Sequence, residues 1–117
     1  MNEVSLVMHK MRLHDGPFKL IKNGSKTIEL RLYDEKRREI NFGDEIEFTN
    51  RVTGEKLLTK VIAMHIYSCF DDLYRDYDKV SLGYFKDEDA NPIDMEKYYS
   101  KEEQEKYGVV GIEIMLI

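Results

Sequence analysis

Tryptophan is absent from this chain of 117 residues, cysteine occurs once and proline twice. A lone thiol, Cys69, cannot close an intramolecular disulfide and offers a zinc ion no partner thiolate, which excludes a disulfide-stapled secreted scaffold and points to the cytoplasm. No apolar run reaches the roughly 18 residues that a membrane helix needs, and the N-terminus lacks the basic, apolar and small-residue order of a signal peptide. A soluble cytoplasmic protein with no membrane partner is expected. His9, His14 and His65 do not recur at metal-ligand spacing, so neither a metal site nor a cofactor is expected. A glycine-rich phosphate loop is missing, which excludes P-loop chemistry. An excess of positive charge is missing too: 18 Lys and Arg stand against 23 Asp and Glu, a formal net charge of −5. Indiscriminate nucleic-acid binders are strongly basic.

What is present suffices for one packed domain over residues 1–117, with 42% hydrophobic, 11% aromatic and 35% charged residues. The charge is unevenly laid out. Residues 10–38 carry nine bases against four acids, a local +5, whereas residues 69–107 carry six bases against twelve acids, a local −6. Net charge therefore limits nonspecific affinity without excluding a basic rim that binds a small, selected footprint of nucleic acid.

The pattern of apolar residues predicts a strand around 9–13, then a helix of about two turns. Asp15 is expected to cap that helix, Pro17 to sit in its first turn, Phe18, Leu20 and Ile21 to form its apolar face, and Gly24 to end it. From Thr27 to Tyr33 the period changes to two, with Ile28, Leu30 and Leu32 alternating with Glu29 and Arg31. Further strands are expected over 45–49 and 57–67, separated by a reversal at Thr53-Gly54, so that four strands suggest a curved antiparallel sheet. In the acidic half, Ser68 is expected to cap a helix through Phe70, Leu73 and Tyr74, and residues 94–107 read as one helix ending at Gly108. The run 109–117 suits a strand buried on both faces or closing a barrel, and a dimer contact is the other reading of its apolar character. The fold class is α+β, a small antiparallel or mixed β-barrel with short flanking helices.

Chemistry concentrates in Gly24-Ser25-Lys26-Thr27-Ile28-Glu29-Leu30-Arg31. Glu29 and Arg31 lie two positions apart on a strand, about 6.6 Å of rise, and so pair with each other or grip one ligand. Lys26 differs from them in parity, yet its long stem at the strand entrance reaches the same mouth. A cation, a carboxylate and a guanidinium at one rim suit a phosphate and the edge of a base. The plainer reading of the same residues is an ordinary ion pair beside a solvated lysine.

The spacing Gly24, Lys26, Glu29, Arg31 resembles the Gly-x-Lys-x-x-Glu-x-Arg pattern of the ASCH domain, a relative of the PUA RNA-binding fold. The short helix before it, residues 30–38, Phe42-Gly43-Asp44 and Tyr107-Gly108-Val109-Val110 resemble this family as well, so the likeness spans nearly the whole chain. It implies a PUA-like barrel with a cleft beside the motif strand that takes RNA or a nucleotide. Lys26, Glu29 and Arg31 are then the ligand-binding residues, Arg12, Lys36, Arg37 and Arg38 give electrostatic support, and Tyr33 either stacks a base or packs the sheet.

A binding module is favoured over an enzyme. Some small relatives are amidohydrolases of N4-acetylcytidine that use the motif lysine, a threonine three residues later and a distant glutamate. Lys26 matches the first, but Glu29 occupies the threonine position and Thr27 lies two residues away from it. With Lys26 and Glu29 as candidate catalytic groups, hydrolysis of a modified nucleoside or of RNA is one alternative. A protein-interaction domain docking through the acidic half is another.

Overall fold

The computed structural model describes residues 6–117. Five strands form one mixed sheet: β1 (Met8–Leu13), β2 (Ile28–Leu32), β3 (Glu45–Asn50), β4 (Lys56–Tyr67) and β5 (Val109–Leu116), in the order β1-β3-β4-β5-β2. The sheet curls into a half-barrel flanked by short helices, an α+β fold of PUA-like form. It is not wholly antiparallel, because β1 runs parallel to β3. Only β3 and β4 are joined by a tight hairpin, which explains the difference: the segment between β1 and β3 is long enough to carry the chain back to the starting end of the sheet. In that hairpin the Asn50 side chain accepts from the amides of Val52 at 2.8 Å and Thr53 at 3.2 Å, and Gly54 takes a positive φ of 76°.

The crossover carries helix α1 (Asp15–Lys22), strand β2 and the one-turn helix α2 (Glu35–Arg38). Helix α1 buries Phe18 and Ile21. Its N-cap is His14, without a side-chain capping bond, rather than Asp15. The Asp15 carboxylate instead accepts from Asn50 at 3.0 Å and pairs with Lys19 at 2.9 Å, so it anchors the helix start to β3. Past the last turn, Gly24 adopts a φ of 89°, which a side chain disfavours, and Asn23 accepts from the Ser25 amide at 2.9 Å.

Two apolar clusters account for the burial of both faces of β5. Val110, Ile112 and Ile114 join Phe18, Ile46, Phe48 and Val61 in one, while Val109 belongs to the other with Ile28, Leu30, Leu32, Phe70 and Leu73. Gly111 is required between them, since a Cβ there would lie 2.9 Å from Ile28 and 3.3 Å from Leu73. The last residues of β5, Met115 and Leu116, emerge into solvent.

The acidic half packs against the second cluster through its tyrosines, including Tyr74, Tyr84 and Tyr99. Helix α3 (Phe70–Asp76) starts from Cys69, not from Ser68, whose hydroxyl is 3.5 Å from the Asp72 carboxylate. The expected helix over 94–107 is two elements, a 3-10 helix at Pro92–Lys97 and helix α4 (Lys101–Tyr107). Ser100 explains the break, because it forms a capping box with Glu103 and so begins a new helix in mid-segment. Gly108, at φ 72°, ends α4. No helix is long and apolar enough to cross a membrane among the described residues.

Candidate ligand-binding cleft

Strand β2 places Glu29 opposite Ile112 and Arg31 opposite Val110, so the polar row shares a face with the first apolar cluster. That face is not solvated: Glu29 is 5% exposed and Lys26 is 6% exposed. Both Nε and a terminal nitrogen of Arg31 reach Glu29 Oε2, at 2.9 and 2.8 Å, while Lys26 Nζ lies 3.4 Å from Glu29 Oε1. Arg31 also donates to the Arg12 carbonyl at 3.1 Å, which fixes it to the end of β1.

The stem of Lys26 curls over the strand entrance because the distant turn at residues 79–83 holds it there. The Thr27 and Ile28 amides both donate to the Ser81 carbonyl at 3.0 Å, and Lys26 Nζ donates to the Leu82 carbonyl at 3.0 Å. Gly83 closes over the amine: at φ 107° it has no Cβ, and one built there would stand 3.1 Å from Lys26 Cδ and 3.2 Å from Nζ.

Two basic side chains share one carboxylate in this buried trio, so with both protonated the trio carries an unbalanced positive charge. Burial drives Lys26 below its ordinary value, opposed by the attraction of Glu29. Burial alone would raise Glu29, but Arg31 and then Lys26 outweigh it and hold the carboxyl below its usual range. Burial likewise opposes the charge on Arg31, and Glu29 reverses that effect to raise its value.

These three residues line a cleft of 510 Å³. Arg12 and Arg51, both exposed, line it from the shared end of β1 and β3. Tyr74, Tyr84, Tyr98 and Tyr99 line it from the acidic half, with Glu88, Asp94 and Lys97. Four of the eight expected ligand residues, Lys26, Glu29, Arg31 and Arg12, thus meet at one site.

The other four do not line it. Tyr33 packs against the first apolar cluster, and the Arg38 guanidinium covers its ring at 4.3 Å from the centroid. Arg38 also donates to the Tyr33 and Tyr107 carbonyls at 2.9 and 3.1 Å. Arg37 pairs with Asp34 at 3.0 Å, and Lys36 is exposed on α2. Thr27 lines a different cavity of 430 Å³, with Ile21, Ile62 and Leu116.

Sequence reasoning missed Arg51 and the tyrosines as cleft residues. Arg51 directly follows β3, and only the parallel pairing of β3 with β1 brings it beside Arg12. The tyrosines read as packing residues; their recurrence at 74, 84, 98 and 99 was the available signal. No group of three His, Cys, Asp or Glu suited to a metal ion occurs among the described residues.

The sequence model of the ASCH domain matches residues 11–117. The chain belongs to the ASCH family. Among solved structures, this ASCH domain is similar to the crystal structure of the hypothetical protein PH0355, with 35% identity and a TM-score of 0.80 over 95% of this chain and 100% of that one. It is similar to the solution structure of protein PF0455 from Pyrococcus furiosus, at 34% identity and a TM-score of 0.74, covering 95% of this chain and 98% of that one. The crystal structure of ASCH from Zymomonas mobilis shares the fold, at 15% identity and a TM-score of 0.63 over 92% of this chain and 66% of that one. No curated protein matches the chain.

Proposed function

We propose that this ASCH domain binds RNA or a nucleotide in the 510 Å³ cleft, with Lys26 and Arg31 as the anion-binding groups and Glu29 as the carboxylate that positions both. The observation that carries this reading is the buried Lys26–Glu29–Arg31 trio: two cations around one carboxylate favour an anion, and the low-dielectric floor strengthens that preference. Arg12 and Arg51 at the mouth suit flanking phosphates, and the tyrosine wall suits the face of a base. Lys36, Arg37 and Arg38 contribute long-range attraction from α2.

Titration of short single-stranded and structured RNAs at low salt tests the reading. Affinity is expected to fall steeply with salt and to vanish in a Lys26→Met, Glu29→Gln, Arg31→Met triple variant, which removes the three charges together and leaves no buried carboxylate unpaired. Wild type without affinity for any of these RNAs would overturn it.

A hydrolytic reading draws on a different observation, the near-complete burial of Lys26 in the cleft lining, which disfavours its charged form and so suits a general base. Hydroxyls in the cleft come from tyrosine, since no Ser or Thr among the described residues lines it. Incubation with N4-acetylcytidine, related nucleosides and RNA is the test. Lys26-dependent product supports hydrolysis, and no turnover across the panel leaves binding alone.

A further inference from the structure

Beside the cationic floor, the tyrosine wall holds a hydrogen-bonded chain whose proton order is set by its surroundings. The Tyr84 hydroxyl lies 2.8 Å from Asp94 Oδ2, 3.2 Å from the Asn91 carbonyl and 2.9 Å from the Tyr74 hydroxyl. A phenol has one proton to donate, and the first two of these neighbours only accept. The Tyr84 proton therefore points to the Asp94 and Asn91 side, with the carboxylate the stronger acceptor. Tyr74 must then be the donor to Tyr84. Its single proton is committed, and its oxygen faces any further partner as an acceptor.

Tyr74, Tyr84 and Asp94 all line the cleft that holds Lys26 and Arg31. The Leu82 carbonyl that receives the Lys26 amine stands two residues before Tyr84 on the same turn. That short piece of backbone thus holds Lys26 on the floor and Tyr84 on the wall, and Tyr84 in turn fixes the Tyr74 hydroxyl on α3.

Resting on the nucleotide-binding reading above, we infer that the cleft selects bases that carry an exocyclic amine, cytosine and adenine, over their keto counterparts, uracil and hypoxanthine. An exocyclic amine projects its N–H beyond the ring to the Tyr74 oxygen, while ring acceptors beside it meet the floor donors. In a keto base the projecting group is a carbonyl, whose lone pairs oppose those of Tyr74 and Asp94. The remaining N–H of that base is recessed in the ring beside the carbonyl. Asp94 acts here as a positioning residue through Tyr84.

The test is the affinity of the full chain for four pentaribonucleotides that differ only in a central cytidine, uridine, adenosine or inosine. Wild type is expected to prefer the amine-bearing member of each pair by about ten-fold, the scale of one well-placed base contact. Tyr84→Phe frees the Tyr74 proton, so the preference should collapse because the keto RNAs bind more tightly. Tyr74→Phe removes the acceptor, so it should collapse because the amine-bearing RNAs bind more weakly. A merely structural role for these tyrosines would weaken all four RNAs alike and leave the ratio unchanged. Equal wild-type affinities, or uniform losses in both variants, would overturn the inference while leaving nucleotide binding intact. Binding of none of the four would overturn this inference, and absence of affinity for the structured RNAs as well would overturn the binding reading.

Discussion

Arg31 brings two nitrogens to a single oxygen of Glu29, Nε donating at 2.9 Å and a terminal nitrogen lying at 2.8 Å, which leaves the other carboxylate oxygen for Lys26 at 3.4 Å. Glu29 is therefore the group that lets two cations share one buried floor. Removing it strands both charges away from water. Glu29→Ala is expected to cost about 3–5 kcal/mol, the range for breaking a buried ion pair from one side. Urea unfolding measures this, and a loss below about 1 kcal/mol would show that the trio is more hydrated than its burial indicates.

Ligand affinity should depend on pH through Lys26. Burial places its deprotonation below the ordinary lysine value of 10.5, so the amine loses its charge as pH rises through that lowered value. RNA affinity is expected to decline on the alkaline side at a pH where ordinary lysines are still protonated. In Lys26→Arg this limb should disappear, because guanidinium keeps its proton throughout. An alkaline limb unchanged in that variant would assign the titration to another group.

Gly83 and Gly111 should separate binding from folding. At Gly83, alanine meets both a φ of 107° and the Lys26 side chain at 3.1 Å, so Gly83→Ala is expected to cost about 1–3 kcal/mol and to weaken RNA binding by displacing the amine. At Gly111, alanine meets Ile28 and Leu73 instead, so Gly111→Ala is expected to cost about 1–3 kcal/mol by overpacking. At temperatures where both variants remain folded, only the first should change affinity.

The salt dependence of binding should report on the cleft mouth. Arg12 and Arg51 are exposed and lie at one end of the cleft, where they suit phosphates outside the floor. Replacing either with alanine is expected to reduce the slope of log affinity against log salt by about 0.7, the single-strand value for one phosphate contact. Equal slopes in wild type and both variants would place the ligand backbone elsewhere.

Acid should loosen the start of β3 through Asp44. Its buried carboxylate accepts from His9 at 2.9 Å, the Asn41 amide at 3.0 Å and the Val7 amide at 3.3 Å. Burial raises Asp44, but these bonds, led by His9, prevail and hold it below its ordinary 3.8. Its contribution to stability is thus complete above the unfolded value and is lost as pH falls through the lower folded one. Asp44→Asn is expected to lose about 1–3 kcal/mol at neutral pH and to show a shallower decline in acid, as followed by thermal unfolding between neutral and acidic pH.

The local elements were legible because their causes are local. Alternation of Ile28, Leu30 and Leu32 with Glu29 and Arg31 marks β2, and Pro17 with Gly24 brackets α1. The Lys26–Glu29–Arg31 cluster was legible for the same reason, since strand rise and the length of a lysine stem set its reach. Capping was less so. Asp15 and Ser68 are good cap residues by type, yet Asn50 and Lys19 engage the one, and the other lies one residue before the cap. The capping box that starts α4 stood in the sequence as Ser100 and Glu103, but the acid and lysine pattern of 94–107 ran through it.

By itself, then, the sequence determined the α+β class, the polarised charge and the identity of the cationic motif, all of which follow from composition and from interactions spanning a few residues. Only tertiary structure decided that β1 lies parallel to β3, that the motif row is buried, and that Arg51 and the tyrosines of the acidic half complete its cleft. Those outcomes depend on which distant segments dock together, a choice made by the whole core at once and carried by no local spacing.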